Sequence, residues 1–200
     1  MPLIASRAGG SASGFGGLRT FVPAVTTSPD GSYDALQSVA LTGSTATITF
    51  TGIPQHYKHL QIRAVARDEG ARTFGSFLRF NFNDETNNRH RYHRLAGRAD
   101  GVTYAQTGFT TYNEVGTTAG NNGVNFTYAV NIIDILDYSD AEKYTTLRAF
   151  SLLLGQSTTT DNDINLFSGL FQNSAAIQTI TITASAGFMN GSSFDLYGIK

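Results

Sequence analysis

An all-β fold, an antiparallel two-sheet β-sandwich of jelly-roll type behind an extended N-terminal arm, is what this sequence predicts. Three observations carry the prediction. Apolar residues recur with period two in one stretch after another, the spacing that sends alternate side chains to opposite faces of a sheet. Gly, Phe and Tyr are abundant, at 21, 14 and 9 of 200 residues, while charged residues make up only 14%, against about a quarter in an average domain. No long segment shows the 3.6-residue apolar repeat of an amphipathic helix.

Residues 1–32 read as the arm. Gly9-Gly10-Ser11-Ala12-Ser13-Gly14-Phe15-Gly16-Gly17 gives a backbone with little to bury. Apolar residues nevertheless punctuate it, and Leu3, Ile4, Phe15, Leu18 and Phe21, with Arg7 and Arg19, could dock on a neighbour. Residues 33–200 form the sandwich domain. Strands are expected near 35–41, and at Thr45-Ala46-Thr47-Ile48-Thr49-Phe50-Thr51, where threonines alternate with Ala46, Ile48 and Phe50. Leu60, Ile62, Ala64 and Ala66 then alternate with Gln61, Arg63, Val65 and Arg67, and Leu78, Phe80 and Phe82 with Arg79, Asn81 and Asn83, which places the arginines on outer faces. Further strands fall near 91–95, at 126–132, near 144–154 and 164–171, around Ile180, Ile182 and Ala184, and at 194–199. Ser139-Asp140-Ala141-Glu142 is a capping box expected to start one helical turn. The Gly/Thr-rich stretch 97–123 reads as long loops with at most a short strand.

With 14 Lys and Arg against 15 Asp and Glu, the net charge is −1. That excludes the large basic excess of a general nucleic-acid binder. No stretch reaches the ~20 apolar residues of a membrane-spanning helix, so no membrane insertion is expected. The absence of Cys removes disulfides, thiolate metal sites and thiol nucleophiles together. No Gly-x-Ser-x-Gly elbow is present, and no enzyme and no cofactor are expected.

Charge is uneven all the same. Residues 56–98 hold all four histidines and nine of the lysines and arginines. Within them the run Arg89-His90-Arg91-Tyr92-His93-Arg94 is the candidate surface for an anionic ligand or partner, because the guanidinium fork suits carboxylates, phosphates and acidic sugars. Tyr104 and Tyr112, in the loop-like stretch, extend this candidate surface, since tyrosine can stack on and hydrogen-bond a sugar ring. His56-x-x-His59 and His90-x-x-His93 have metal-like spacing, but residues three apart on a strand face opposite ways, so no metal is expected. Asp161-Asn162-Asp163 lacks the turn glycine and closing glutamate of a calcium loop. Asp134, Asp137, Asp140 and Glu142 are expected to stabilise turns rather than to cleave glycosides.

Several C-terminal segments are distinctive: Ile133-Asp134-Ile135-Leu136-Asp137-Tyr138, Lys143-Tyr144-Thr145-Thr146-Leu147-Arg148, Ser168-Gly169, Ala176-Ile177-Gln178-Thr179-Ile180-Thr181-Ile182, and the closing Gly191-Ser192-Ser193-Phe194-Asp195-Leu196-Tyr197-Gly198-Ile199. They resemble a domain of tailed-bacteriophage virion structural proteins of tail-fibre, baseplate or capsid-decoration type. The leader Ser6-Arg7-Ala8-Gly9-Gly10-Ser11-Ala12-Ser13-Gly14-Phe15-Gly16 is similar to those of phage virion proteins. Together these segments cover about a fifth of the chain. The resemblance implies a non-enzymatic jelly-roll subunit, a homotrimer in the virion, joined through its arm to other tail or capsid proteins. As a tail-fibre or receptor-binding-type subunit it would face a host surface glycan. As a capsid decoration protein it would clamp neighbouring capsid subunits.

Overall fold

The computed structural model describes residues 31–72, 74–98, 101, 103–154 and 162–200, with the side chains of 74, 103 and 104 excepted. The arm residues Leu3, Ile4, Arg7, Phe15, Leu18, Arg19 and Phe21, and Asp161, lie outside the described residues. One compact unit runs from Ser32 to Lys200.

Twelve strands make up this unit: β1 Tyr33–Ala40, β2 Thr45–Phe50, β3 His59–Ala66, β4 Phe74–Phe82, β5 His90–Arg98, β6 Thr103–Thr110, β7 Asn113–Ala119, β8 Ala129–Leu136, β9 Thr145–Leu153, β10 Asp163–Phe171, β11 Ile180–Phe188 and β12 Ser193–Ile199. Every ladder between them is antiparallel, and they form an eight-stranded sheet, β1-β12-β3-β8-β9-β10-β5-β6, and a four-stranded sheet, β2-β11-β4-β7. Setting aside the β5–β6 and β9–β10 hairpins leaves β1-β12-β3-β8 facing β2-β11-β4-β7. Successive strands of that remainder alternate between the sheets except for β4 and β7, which are neighbours in the small sheet, and this is the order of an eight-stranded jelly roll. The two hairpins are additions that extend one sheet beyond β8.

Alternation dictates the core. Ile48, Phe50, Leu78, Phe80, Phe82, Ile180 and Ile182 from the small sheet meet Leu60, Ile62, Ile133, Ile135, Phe167, Phe194 and Leu196 from the large one, all buried. Tyr138 and Ile177 belong to the same core, and Phe188 packs edge-on against Phe194 at 4.8 Å between ring centroids.

Four expectations are corrected. The 97–123 stretch holds β6 and β7, not loops: β6 is the hairpin partner of β5, and all seven residues of β7 are buried. Its polar groups find distant partners, Thr117 on Asn131 and Ser151, and Thr118 on Ser76 and Asp68, so a stretch that looks solvated is interior. Strand β8 starts at Ala129, and Phe126, at a φ of 63°, lies in the preceding turn, exposed. The 139–142 capping box makes no helix. Asp140 Oδ1 accepts from the Glu142 N–H at 2.8 Å and Lys143 Nζ bridges Asp137 and Asp140 at 2.9 and 3.3 Å, closing a turn instead. Arg67 is buried, because β3 ends at Ala66 and the face alternation ends with it. Its guanidinium donates to the carbonyls of Asn121, Val124 and Thr127 at 2.9, 3.1 and 3.4 Å, fixing the 120–128 connection.

Candidate functional site

The basic run does not form one surface. Arg89 precedes β5, half-exposed, and lies 3.4 Å from Glu85. From His90 onward the run is strand, so its members part by face: His90, Tyr92 and Arg94 point inward and are buried, while Arg91 and His93 point outward. His90 and Arg94 are therefore not part of an exposed partner surface. His90 stacks between Phe82 and Phe171, at 5.7 and 4.7 Å between centroids. Burial drives its pKa down from 6.5 to about 4, against a small upward pull from Glu85. On the outer face Arg91 donates to Gln172 Oε1 at 2.7 Å and covers the Phe109 ring at 4.0 Å, beside His93, around a shallow groove.

Arg94 instead lines a cavity of about 360 Å³ between the sheets, walled by β4 and β7 on one side and β5, β9 and β10 on the other. Register brings its charges together. Arg79 pairs with Glu114 across the β4–β7 ladder and Asp163 with Arg98 across β10–β5. The side chains follow, Arg79 Nε lying 3.9 Å from Glu114 Oε1 and Arg98 Nε 3.4 Å from Asp163 Oδ1. Arg72 reaches the rim, where it donates to Ser185 Oγ at 3.5 Å. Two guanidiniums are held on aromatic faces, Arg94 over Phe77 at 4.4 Å and Arg79 over Tyr112 at 4.6 Å. Burial pushes the Glu114 carboxyl up, and the nearby Arg79, Tyr92 and Arg94 draw it partly back. Burial likewise raises the Tyr92 hydroxyl to about 12. Tyr112 thus supports Arg79 without itself lining the cavity. Tyr104 belongs to β6, with its side chain outside the described set.

A second feature was missed in the sequence. The outer face of the eight-stranded sheet carries two adjoining apolar rows, set by register across β3, β8, β9, β10 and β5: Val65, Val130, Leu152 and Ile164, then Ile132, Phe150, Leu166 and Leu95. Seven of the eight are 37–53% exposed. Such a set makes on the order of 600 Å² of contiguous apolar surface, at or above the largest patch of an ordinary monomer. The signal was present as strands apolar on both faces, Ile132-Ile133 and Leu166-Phe167, a pattern of double burial. Below these rows the face turns polar, with Asp134, Arg148, Ser168 and His93 in line.

The remaining candidates are engaged elsewhere. Asp134 accepts from Arg148 and Gln61, both at 2.8 Å, and Asp137 from Lys143. His59 Nδ1 accepts from the Asp137 N–H at 2.9 Å, and His56 lies against Tyr57. Among the described residues no three His, Cys, Asp or Glu side chains gather as metal ligands, and no helix is long and apolar enough to cross a membrane.

No family model matches this chain, and neither does any curated protein. Among solved structures it is similar to the CBM40 of the Ruminococcus gnavus IT-sialidase, in a structure bound to α2,6 sialyllactose. The identity is 11%, over 82% of this chain and 92% of that one, and the TM-score is 0.28. A likeness that distant carries no argument about function.

Proposed function

We propose that the protein is a non-enzymatic structural subunit of a tailed-phage virion, of tail-fibre or receptor-binding type, that works as a homotrimer with copies packed through the outer face of the eight-stranded sheet. The observation that carries this reading is the apolar double row from Val65 to Leu95. Its area, on the order of 600 Å², approaches the ~800 Å² per partner of a standard interface. The bordering Asp134 and Arg148 have opposite charge, so a second copy meets the row without like-charge repulsion. The virion assignment is supported by the C-terminal resemblance, whose closing segment is β12, held between β1 and β3 in the large sheet.

Residues 1–20 serve in this reading as the anchor to other virion proteins. Gradient-purified particles of the phage that encodes the chain should contain it in stoichiometric amount, and a copy lacking residues 1–20 should fold and be missing from them. Particles without the protein, or full occupancy by the truncated form, would overturn the reading. The capsid-decoration alternative predicts density on the capsid lattice rather than on the tail.

A further inference from the structure

Beyond the apolar rows, the turn before β8 sets two more large apolar side chains in water. Phe126 is 92% exposed and Val124 45%. A φ of 63° puts Phe126 in the left-handed region, which a bulky residue adopts only where its surroundings impose it. Here they do. The buried Arg67 guanidinium holds the carbonyls of Asn121, Val124 and Thr127, the Thr127 N–H donates to the Val124 carbonyl at 3.3 Å, and the Tyr128 hydroxyl donates to the Asn190 carbonyl at 2.9 Å. The turn is thus a fixed support that holds out an aromatic ring with no use in its own chain. The outer face of the eight-stranded sheet carries a matching hollow. Val65, Val130, Leu152 and Ile164 are followed in register on β5 by Gly97, where a Cβ would meet nothing within 4 Å. The missing side chain leaves an apolar groove of about 540 Å³ walled by Leu95, Ile164 and Leu166, each about half-exposed.

We infer that Phe126 of each copy seats in the Gly97 groove of the next copy around the trimer. This deepens the assembly reading above and rests on it. In a threefold ring every contact is heterologous, so the apolar rows of one copy meet a different surface of its neighbour. Among the described residues Phe126 is the most exposed large apolar side chain, and its turn is the convex counterpart of the groove. The two also share a level. Val130, just after the turn, pairs with Leu152, and Leu152 with Ile164, so turn and groove lie at the same end of the sheet. A rotation about an axis along the strands keeps that level and brings one to the other. Residues 120–128 include no charged side chain, so the turn enters an apolar face without burying an ion. Asn122 and Asn125, both exposed, fringe the ring with the polar rim that surrounds an aromatic anchor.

Light scattering on a dilution series of the full chain tests this with two variants, one on each side of the contact. Phe126→Asn removes the ring and keeps a residue at ease in the left-handed region, and Gly97→Leu fills the groove from a position with open space above it. Each should raise the concentration needed for assembly about tenfold or more, with the melting temperature of the dissociated chain unchanged. The chain has no cysteine, so a chemical link can be placed at the same two positions. With a short bismaleimide, the double variant Phe126→Cys, Gly97→Cys should give covalent dimers and trimers on a denaturing gel, and either single variant only single chains. Assembly lost in Phe150→Lys but unchanged in both Phe126→Asn and Gly97→Leu would overturn this seat and leave the apolar-face reading standing. So would a link that forms within one chain, or between like positions in a single variant. A single-chain mass for the unaltered protein would overturn both.

Discussion

Gly198 lies directly beneath the ring of Tyr57: a Cβ at position 198 would stand 2.5 Å from the ring's Cγ. The Tyr57 hydroxyl reaches on to donate to Asp34 Oδ2 at 2.9 Å. One glycine on β12 thus lets a β3-flanking aromatic clasp the edge strand β1. This gives a physical reason for the glycine in the closing Leu196-Tyr197-Gly198-Ile199 segment.

Gly198→Ala should accordingly destabilise the domain by about 1–3 kcal/mol, the cost of forcing a methyl into filled space. Urea unfolding of the variant and the unaltered chain measures it. Unchanged stability would mean that Tyr57 has room to move.

Acid should weaken the fold through His90. In the unfolded chain its pKa is 6.5 and in the folded chain about 4, so as pH falls through 6.5 the unfolded state takes up the proton first. Stability is then lost progressively between pH 6.5 and 4, by roughly 3 kcal/mol at most. His90→Phe keeps a ring between Phe82 and Phe171 and removes the titration. The difference in unfolding free energy between the two proteins should grow on acidification across that window, and a constant difference would refute the assignment.

Arg67→Met should cost roughly 2–4 kcal/mol, since it strips three carbonyl acceptors of a charged donor in a buried setting. Amide exchange should speed first in residues 121–128, the segment those carbonyls belong to. Exchange that quickens uniformly would assign the loss to the core instead.

How much of this could be read in the sequence depends on where each residue's partners lie. Strands β2, β3, β4 and β11 announce themselves, because Ile48, Leu60, Phe80 and Ile182 alternate with polar neighbours and one face is enough to reveal them. Strand β7 does not, because Thr117 and Thr118 are buried by partners distant in the chain, Asn131 and Ser151 on β8 and β9 and Asp68 beyond the end of β3, which no local pattern displays. The same holds for the cavity. Arg94 stood out within its run, whereas pairing Arg79 with Glu114 required a β4–β7 register containing a bulge.

Light scattering coupled to size exclusion tests the assembly through the outer face most directly, on the unaltered chain and on Phe150→Lys, whose new charge falls in the middle of the apolar rows. The unaltered protein should elute at three times the chain mass of 21.5 kDa, and the variant, folded by circular dichroism, at the mass of one chain. A single-chain mass for the unaltered protein, or a variant that assembles as before, would contradict it.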